Sequence, residues 1–138
     1  ASELSSDSFW RAANERFETA TVLLEQTQRY TDTIYIGGYA VECALKSLIL
    51  RRTSKAKLAA AIEEITGGAI SHNFEYLARH LRLRNSLPEE VRRLLHGLGN
   101  SWSTDLRYAG HLTREKPARD FINRVESVLE WAEGAVNA

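Results

Sequence analysis

Apolar residues recur along most of this chain at the three- and four-residue spacing of an amphipathic helix, and strand-like alternation is absent from the sequence. The pattern predicts a first helix from about Asp7 to Gln28, with Ser6 or Asp7 as its N-cap. Charged side chains lie opposite the apolar stripe, as expected for a helix on the surface of a bundle. The stripe comprises Phe9, Ala13, Phe17, Ala20 and Leu24.

A second helix is predicted from about Thr33 to Arg52, after a turn at residues 29–32. Its apolar residues surround nearly the whole helix, which indicates burial on most sides. Gly37 and Gly38 each lower the helix propensity by about 1 kcal/mol. We therefore expect another helix to approach closely at these two positions.

Shorter helices are predicted in the middle of the chain. Residues 54–66 form one, with Ser54 as its cap, and another begins near His72. Pro88 then opens a helix that Gly97 and Gly99 are expected to end.

Residues 101–116 are predicted to be irregular, and Pro117 is expected to open a long last helix that reaches about Gly134. The fold class is therefore all-α: an up-and-down bundle of three long helices with two or three short helices between them. At 138 residues the chain predicts a single domain, with its core at about residues 8–134.

The composition places the protein in a reducing, aqueous compartment. Cys43 is the only cysteine and lies within an apolar stretch, so we expect a buried, inert thiol. No run approaches the roughly 18–20 apolar residues of a membrane span, and the first residues lack a signal-peptide pattern. We expect a cytoplasmic protein without a membrane partner.

The formal net charge is zero, from 18 basic and 18 acidic residues, which argues against binding nucleic acid through bulk charge. A local basic cluster remains a candidate contact for a nucleic-acid backbone. It comprises Arg79, His80, Arg82, Arg84, Arg92 and Arg93. Glu89 and Glu90 lower the net positive charge of this cluster, so an ordinary solvated helix face is favoured over a nucleic-acid contact.

The second predicted helix carries one narrow polar row. On a helical wheel Tyr35, Tyr39, Glu42 and Lys46 share this row, and the last two have the favourable acid-before-base spacing of i and i+4. Two interpretations follow. The row is a partly buried ion pair that fixes helix packing, or it is the polar floor of a functional site.

Arg107 and His111 form the second candidate site. An arginine can hold the charge of a phosphodiester, while a histidine moves a proton to or from a ribose oxygen, and no metal is needed. The alternative is a loop arginine that pairs with a core carboxylate such as Glu42, beside a solvated His111. The histidines lack the HxxxH and HExxH spacings of zinc sites, so neither a metal nor another cofactor is expected.

Four motifs together resemble those of the HEPN domain family. The first helix is rich in aromatic residues and alanine (FWRAANERFETATVLL), and the second contains GGYAVECALKSLIL. A short helix led by His72 follows (HNFEYL), and a W…RY segment, WSTDLRY at residues 102–108, precedes the last helix. The resemblance covers roughly residues 8–134.

The resemblance implies a helical bundle that usually dimerises and often binds nucleotide or RNA in a cleft. Many members are metal-independent endoribonucleases of toxin–antitoxin or other defence systems, and others pair with a small nucleotidyltransferase. Active members separate the arginine from the histidine by more residues, whereas only three lie between Arg107 and His111 here.

We therefore expect a homodimeric binding module for nucleotide or RNA, without an intact ribonuclease motif. An antitoxin or a nucleotidyltransferase is a candidate protein partner. The expected binding residues are Tyr39, Glu42, Lys46, Arg107 and Tyr108. The alternative is a metal-independent endoribonuclease that uses Arg107 and His111 as its catalytic residues.

Overall fold

The computed structural model describes residues 4–84, 87–108 and 113–137. Across these ranges it contains six α-helices and no strand, which confirms the all-α fold class. The helices are α1 (Ser6–Gln26), α2 (Tyr30–Arg51), α3 (Leu58–Thr66), α4 (Phe74–Arg82), α5 (Glu89–Ser101) and α6 (Glu115–Val136). Three short 3₁₀ segments accompany them, at Lys55–Lys57, Ala69–His72 and Thr104–Tyr108.

Helix α2 lies at the centre of the bundle. Helix α1 packs along it most extensively, α6 and α4 contact its other sides, and α5 bridges α4 and α6. This arrangement explains why apolar residues surround α2, since it has a neighbouring helix on most sides. Its fully buried apolar side chains include Ala40, Val41, Ala44, Leu45, Leu48 and Ile49.

The ends of the first two helices differ slightly from the predicted ones. Ser5, rather than Ser6 or Asp7, caps α1, and its side chain and that of Ser8 form a reciprocal capping box. Helix α2 begins at Tyr30, inside the predicted turn. The hydroxyl and backbone N–H of Thr33 both bond the carbonyl of Arg29, which extends the helix toward its N-terminus.

Helix α5 continues through both glycines that were expected to end it, so that prediction is wrong. The helix reaches Ser101, and Leu98 between Gly97 and Gly99 is fully buried. Burial of that leucine stabilises the last turn by more than the modest helix-propensity cost of two glycines. Residues 101–108 and 113–116 are also less irregular than predicted, because Ser101 ends α5, Thr104–Tyr108 form a 3₁₀ segment and α6 begins at Glu115.

The prolines lie near helix starts, as predicted, but not at the expected positions. Pro88 is the N-cap of α5 rather than its first helical residue. Pro117 is the third residue of α6, which begins at Glu115. Proline fits both places, because a first-turn N–H has no partner within its helix.

The two glycines of α2 allow close contacts, as the sequence predicted. A methyl group on Gly37 would fall 2.8 Å from Ile122 Cδ1 of α6. A methyl group on Gly38 would overlap the indole ring of Trp102. The neighbour at Gly38 is thus a single aromatic side chain from the segment after α5, and not a helix backbone.

By length and composition alone, α2 could cross a membrane. In the bundle, however, most of it is buried against other helices. This is the environment of a core helix, and it is compatible with a soluble protein.

We predict that Gly38→Ala destabilises the domain by about 1–3 kcal/mol or more, because the rigid indole of Trp102 must move out of contact with α2. Gly97→Ala is the matched control. It lies inside α5 with no atom near the added methyl group, so it should stabilise by about 0.5–1 kcal/mol. Urea unfolding of both variants measures the difference. Equal stability of the two variants would show that the packing of the Trp102 indole does not require a glycine at position 38.

Candidate functional site

Trp102 fixes the segment that carries Arg107. Its indole N–H donates a hydrogen bond of 3.0 Å to the carbonyl of Tyr35 on α2. Its ring stacks on Phe74 of α4, with the centroids 4.9 Å apart, and contacts the ring of Tyr39 edge-on. These contacts hold the start of the 3₁₀ segment Thr104–Tyr108 against α2.

Arg107 lies exposed in that 3₁₀ segment, at the surface beside the first turns of α2. Its guanidinium carbon is 4.8 Å from the ring centroid of Tyr108, whose side chain is 76% exposed. The hydroxyl of Tyr108, and after it that of Tyr35, raises the pKa of Arg107. Arg107 is therefore a permanent cation supported by aromatic side chains.

A shallow groove of about 270 Å³ begins at Arg107. It is lined by Leu106, Arg107 and Thr113 and by residues 28–32, where the connection from α1 ends and α2 begins. Arg29 adds a second cation to this lining, although it also contacts Asp32 at 3.6 Å. The groove offers an anionic ligand the guanidinium group of Arg107, and beside it that of Arg29, whose charge Asp32 partly offsets.

Tyr35 and Tyr39 continue from Arg107 along α2. Their hydroxyl oxygens are 3.3 Å apart and their rings meet edge to face. Burial, followed by the hydrogen bond with Tyr35, raises the pKa of Tyr39, which keeps its phenol protonated. Tyr39 therefore presents a neutral hydroxyl group, hydrogen-bonded to that of Tyr35, between Arg107 and the next polar residues.

Glu42, Lys46 and His72 form a hydrogen-bonded cluster at the other end of the row. Glu42 is 5% exposed and Lys46 is 4% exposed, and Lys46 Nζ lies 2.9 Å from Glu42 Oε2. The second oxygen, Oε1, is 2.8 Å from Nδ1 of His72. Both carboxylate oxygens are thus hydrogen-bonded, which offsets much of the cost of burying the charges.

The structure separates Arg107 from Glu42, the pair that one interpretation of the sequence suggested. Among the described residues the Glu42 carboxylate bonds Lys46 and His72, whereas Arg107 is exposed and lies against Tyr108 and Tyr35. The hypothesis of a Glu42–Arg107 anchor is therefore wrong. Tyr35, Tyr39, Glu42 and Lys46 do form one row on α2, with Arg107 and Tyr108 at its Tyr35 end. His111 lies outside the described residues.

His72 and Trp102 connect this row to the rest of the domain. Neither residue was predicted from the sequence to belong to the site. His72 ends the 3₁₀ segment Ala69–His72, immediately before α4, and its side chain is 37% exposed. One signal pointed to a missing partner. A buried carboxylate has about four acceptor sites, more than the three donors of one lysine can fill. Only the fold identifies His72 as the second donor.

Cys43 is less buried than the surrounding apolar sequence predicted. It is partly buried beside Glu42, and burial, followed by the charge of Glu42, raises the pKa of its thiol to about 11. The thiol is therefore protonated and unreactive at neutral pH.

Part of the basic cluster proposed from the sequence pairs with neighbouring carboxylates. Arg92 and Arg93 both pair with Glu89, and His80 lies 3.6 Å from Glu64. Arg84 bonds the hydroxyl of Thr53 and a backbone carbonyl. These contacts favour the interpretation of the basic cluster as ordinary solvated helix faces over that of a nucleic-acid contact. Among the residues with described positions, no group of three or more side chains could hold a metal ion.

The fold and the site define a small all-α bundle with an arginine displayed beside a row of tyrosines on its central helix. Comparison with protein families gives a match to the HEPN domain over residues 6–135, nearly the whole chain. The chain therefore belongs to the HEPN domain family. No curated protein and no solved structure matched it.

We predict that Lys46→Met lowers the free energy of unfolding by about 3–5 kcal/mol, because it removes one partner of a buried ion pair. The double variant Glu42→Leu/Lys46→Met should recover most of this loss, since no unpaired charge remains buried. Urea unfolding measures both variants.

Lys116→Met provides the matched control for this experiment. Lys116 pairs with Asp120 at the same i and i+4 spacing, but on the exposed face of α6. We expect it to cost about 0.5 kcal/mol or less. A similar cost for Lys46→Met would contradict the burial of the Glu42–Lys46 pair.

Proposed function

We propose that this HEPN domain is a homodimeric module that binds nucleotide or RNA, in a defence or toxin–antitoxin type of system, without a working ribonuclease motif. The observation that carries the proposal is Arg107. Within the described ranges no carboxylate pairs with it, and its guanidinium lies over the ring of an exposed tyrosine, Tyr108. A cation held in this way is free to take a phosphate oxygen.

The surroundings of Arg107 support a ligand that has both phosphate and rings. The groove beside it adds the guanidinium of Arg29. Tyr108 is exposed enough for a base to stack on it, as bases stack on aromatic side chains in single-strand binding sites. Tyr39 and Tyr35 add hydroxyl groups on the same side of α2. Glu42 and Lys46 are buried and suit a supporting role beneath the surface.

The proposal favours binding over cleavage because of the short spacing between Arg107 and His111. The alternative function, a metal-independent endoribonuclease, would use Arg107 for the phosphate and His111 for proton transfer. Incubation of the purified protein with RNA in EDTA distinguishes the two. Cleavage that disappears in Arg107→Ala and in His111→Ala would establish the nuclease and overturn the binding-only proposal.

We predict that Arg107→Ala weakens binding of a labelled single-stranded RNA by about ten- to a hundredfold, because a charge-assisted contact to phosphate contributes roughly 1.5–3 kcal/mol. The salt dependence should also fall, by about 0.7 in the slope of log affinity against log salt. Fluorescence anisotropy at several salt concentrations measures both. Arg11→Ala, an exposed arginine of α1, is the control and should change neither. Equal effects of the two substitutions would contradict a specific role for Arg107.

The proposed dimer agrees with large apolar side chains that one chain leaves at its surface. Val22 of α1 is 52% exposed and Leu83, just after α4, is 82% exposed. Scattered apolar residues are normal on a monomer, so the assembly needs its own measurement. A protein partner, such as an antitoxin or a nucleotidyltransferase, would also bind to exposed apolar side chains of this kind.

We predict that sedimentation velocity finds a dimer at micromolar concentration, because burial of these side chains against a second copy stabilises the assembly. A dilution series should show the dimer dissociating as the concentration falls. A sedimentation coefficient of the monomer throughout the micromolar range would exclude the proposed homodimer.

A further inference from the structure

Glu42 decides which nitrogen of His72 carries a proton. Glu42 is buried beside the cation of Lys46 at 2.9 Å, so the pair is an ionised carboxylate with an ammonium. An ionised carboxylate only accepts hydrogen bonds. The Nδ1 atom of His72, 2.8 Å from Oε1, must therefore be the donor. In the neutral imidazole this leaves Nε2 with a lone pair and without a hydrogen.

The acceptor nitrogen belongs to a side chain that solvent reaches. The side chain of His72 is 37% exposed, although its carboxylate partner is buried. Edge-on contact with the ring of Tyr39, at 6.1 Å between centroids, restricts the imidazole from the side. In its neutral form His72 is thus an oriented hydrogen-bond acceptor, because the contacts with Glu42 and Tyr39 set its tautomer and restrict its rotation.

His72 and Arg107 lie at the two ends of the polar row on α2. Arg107 lies against Tyr35, and His72 bonds Glu42. Positions 35 and 42 of a helix are about 10 Å apart along its axis. One phosphate cannot span this distance, whereas a nucleic-acid strand can. The row therefore suits an extended ligand with a phosphate at one end and a hydrogen-bond donor at the other.

We infer that His72 is a specificity-determining residue that selects RNA over DNA, an inference that rests on the proposed function of the domain. The strand places a phosphate on Arg107, and Nε2 of His72 accepts a hydrogen bond from a ribose 2′-hydroxyl. That hydroxyl is the group that distinguishes RNA from DNA at a binding site. Glu42 and Lys46 act through His72, because Glu42, itself paired with Lys46, binds Nδ1 and leaves Nε2 as the outer nitrogen.

The experiment compares single-stranded RNA and DNA of one sequence, each labelled with fluorescein, by fluorescence anisotropy. The wild-type protein should bind the RNA about two- to tenfold more tightly, the value of one hydrogen bond. The substitution His72→Asn keeps an N–H that can donate to Glu42 but lacks the outer nitrogen. It should remove the preference by weakening RNA binding alone, and leave the free energy of unfolding close to that of the wild type.

Two controls separate this role from a structural one. His96→Asn changes another histidine whose Nδ1 lies near a carboxylate, that of Glu75 at 3.4 Å, and it should leave both affinities unchanged. A strand of 2′-fluoro RNA tests the unaltered protein, because fluorine cannot donate a hydrogen bond. This strand should bind like the DNA.

The outcomes distinguish this inference from the proposed function. If Arg107→Ala weakens binding of both strands while His72→Asn changes neither, the domain binds nucleic acid and the role of His72 is overturned. Equal weakening of RNA and DNA by His72→Asn also overturns it, as does tight binding of the 2′-fluoro strand. If the wild-type protein binds neither strand, the proposed function itself fails.

Discussion

The contact between Trp102 and Gly38 is the constraint on which the site depends. The indole occupies the space that a side chain at Gly38 would fill, and its N–H bonds the carbonyl of Tyr35 on the same helix. Phe74 stacks on the other side, so α4 is joined to the contact. Because Trp102 is fixed, the 3₁₀ segment after it is held beside the first turns of α2, and Arg107 reaches the tyrosine row.

The buried charges of α2, on Glu42 and Lys46, also depend on how other segments pack against this helix. A glutamate and a lysine within an apolar helix would be costly to bury apart, and together they still need further hydrogen bonds. Lys46 and His72 supply one donor to each oxygen of Glu42. The second of these bonds joins α2 to the segment that leads into α4. The Glu42–Lys46 pair thus fixes helix packing, which was one of the two interpretations of the polar row. It also orients His72 at the surface, and this contact bears on the other interpretation, a functional site.

The two ends of the row differ in how they hold charge. At Glu42 the charges are buried and neutralise each other, and the imidazole of His72 joins them to the surface. At Arg107 the cation is exposed and is supported by the rings and hydroxyls of tyrosines. An aromatic support leaves the guanidinium available, whereas a carboxylate would compete with phosphate for it. This difference is the physical basis for the proposal that the phosphate of a ligand binds at Arg107.

The sequence alone determined the helices, the central place of α2, the polar row and the family, because each depends on local periodicity or on motifs within one segment. It placed several helix ends wrongly, as at Gly97 and Gly99, since burial of Leu98 outweighs local propensity. Only the tertiary structure decided which donors reach Glu42. The competing donors, on His72 and Arg107, lie in separate segments, and their distances to the carboxylate depend on how α4 and the segment after α5 pack against α2.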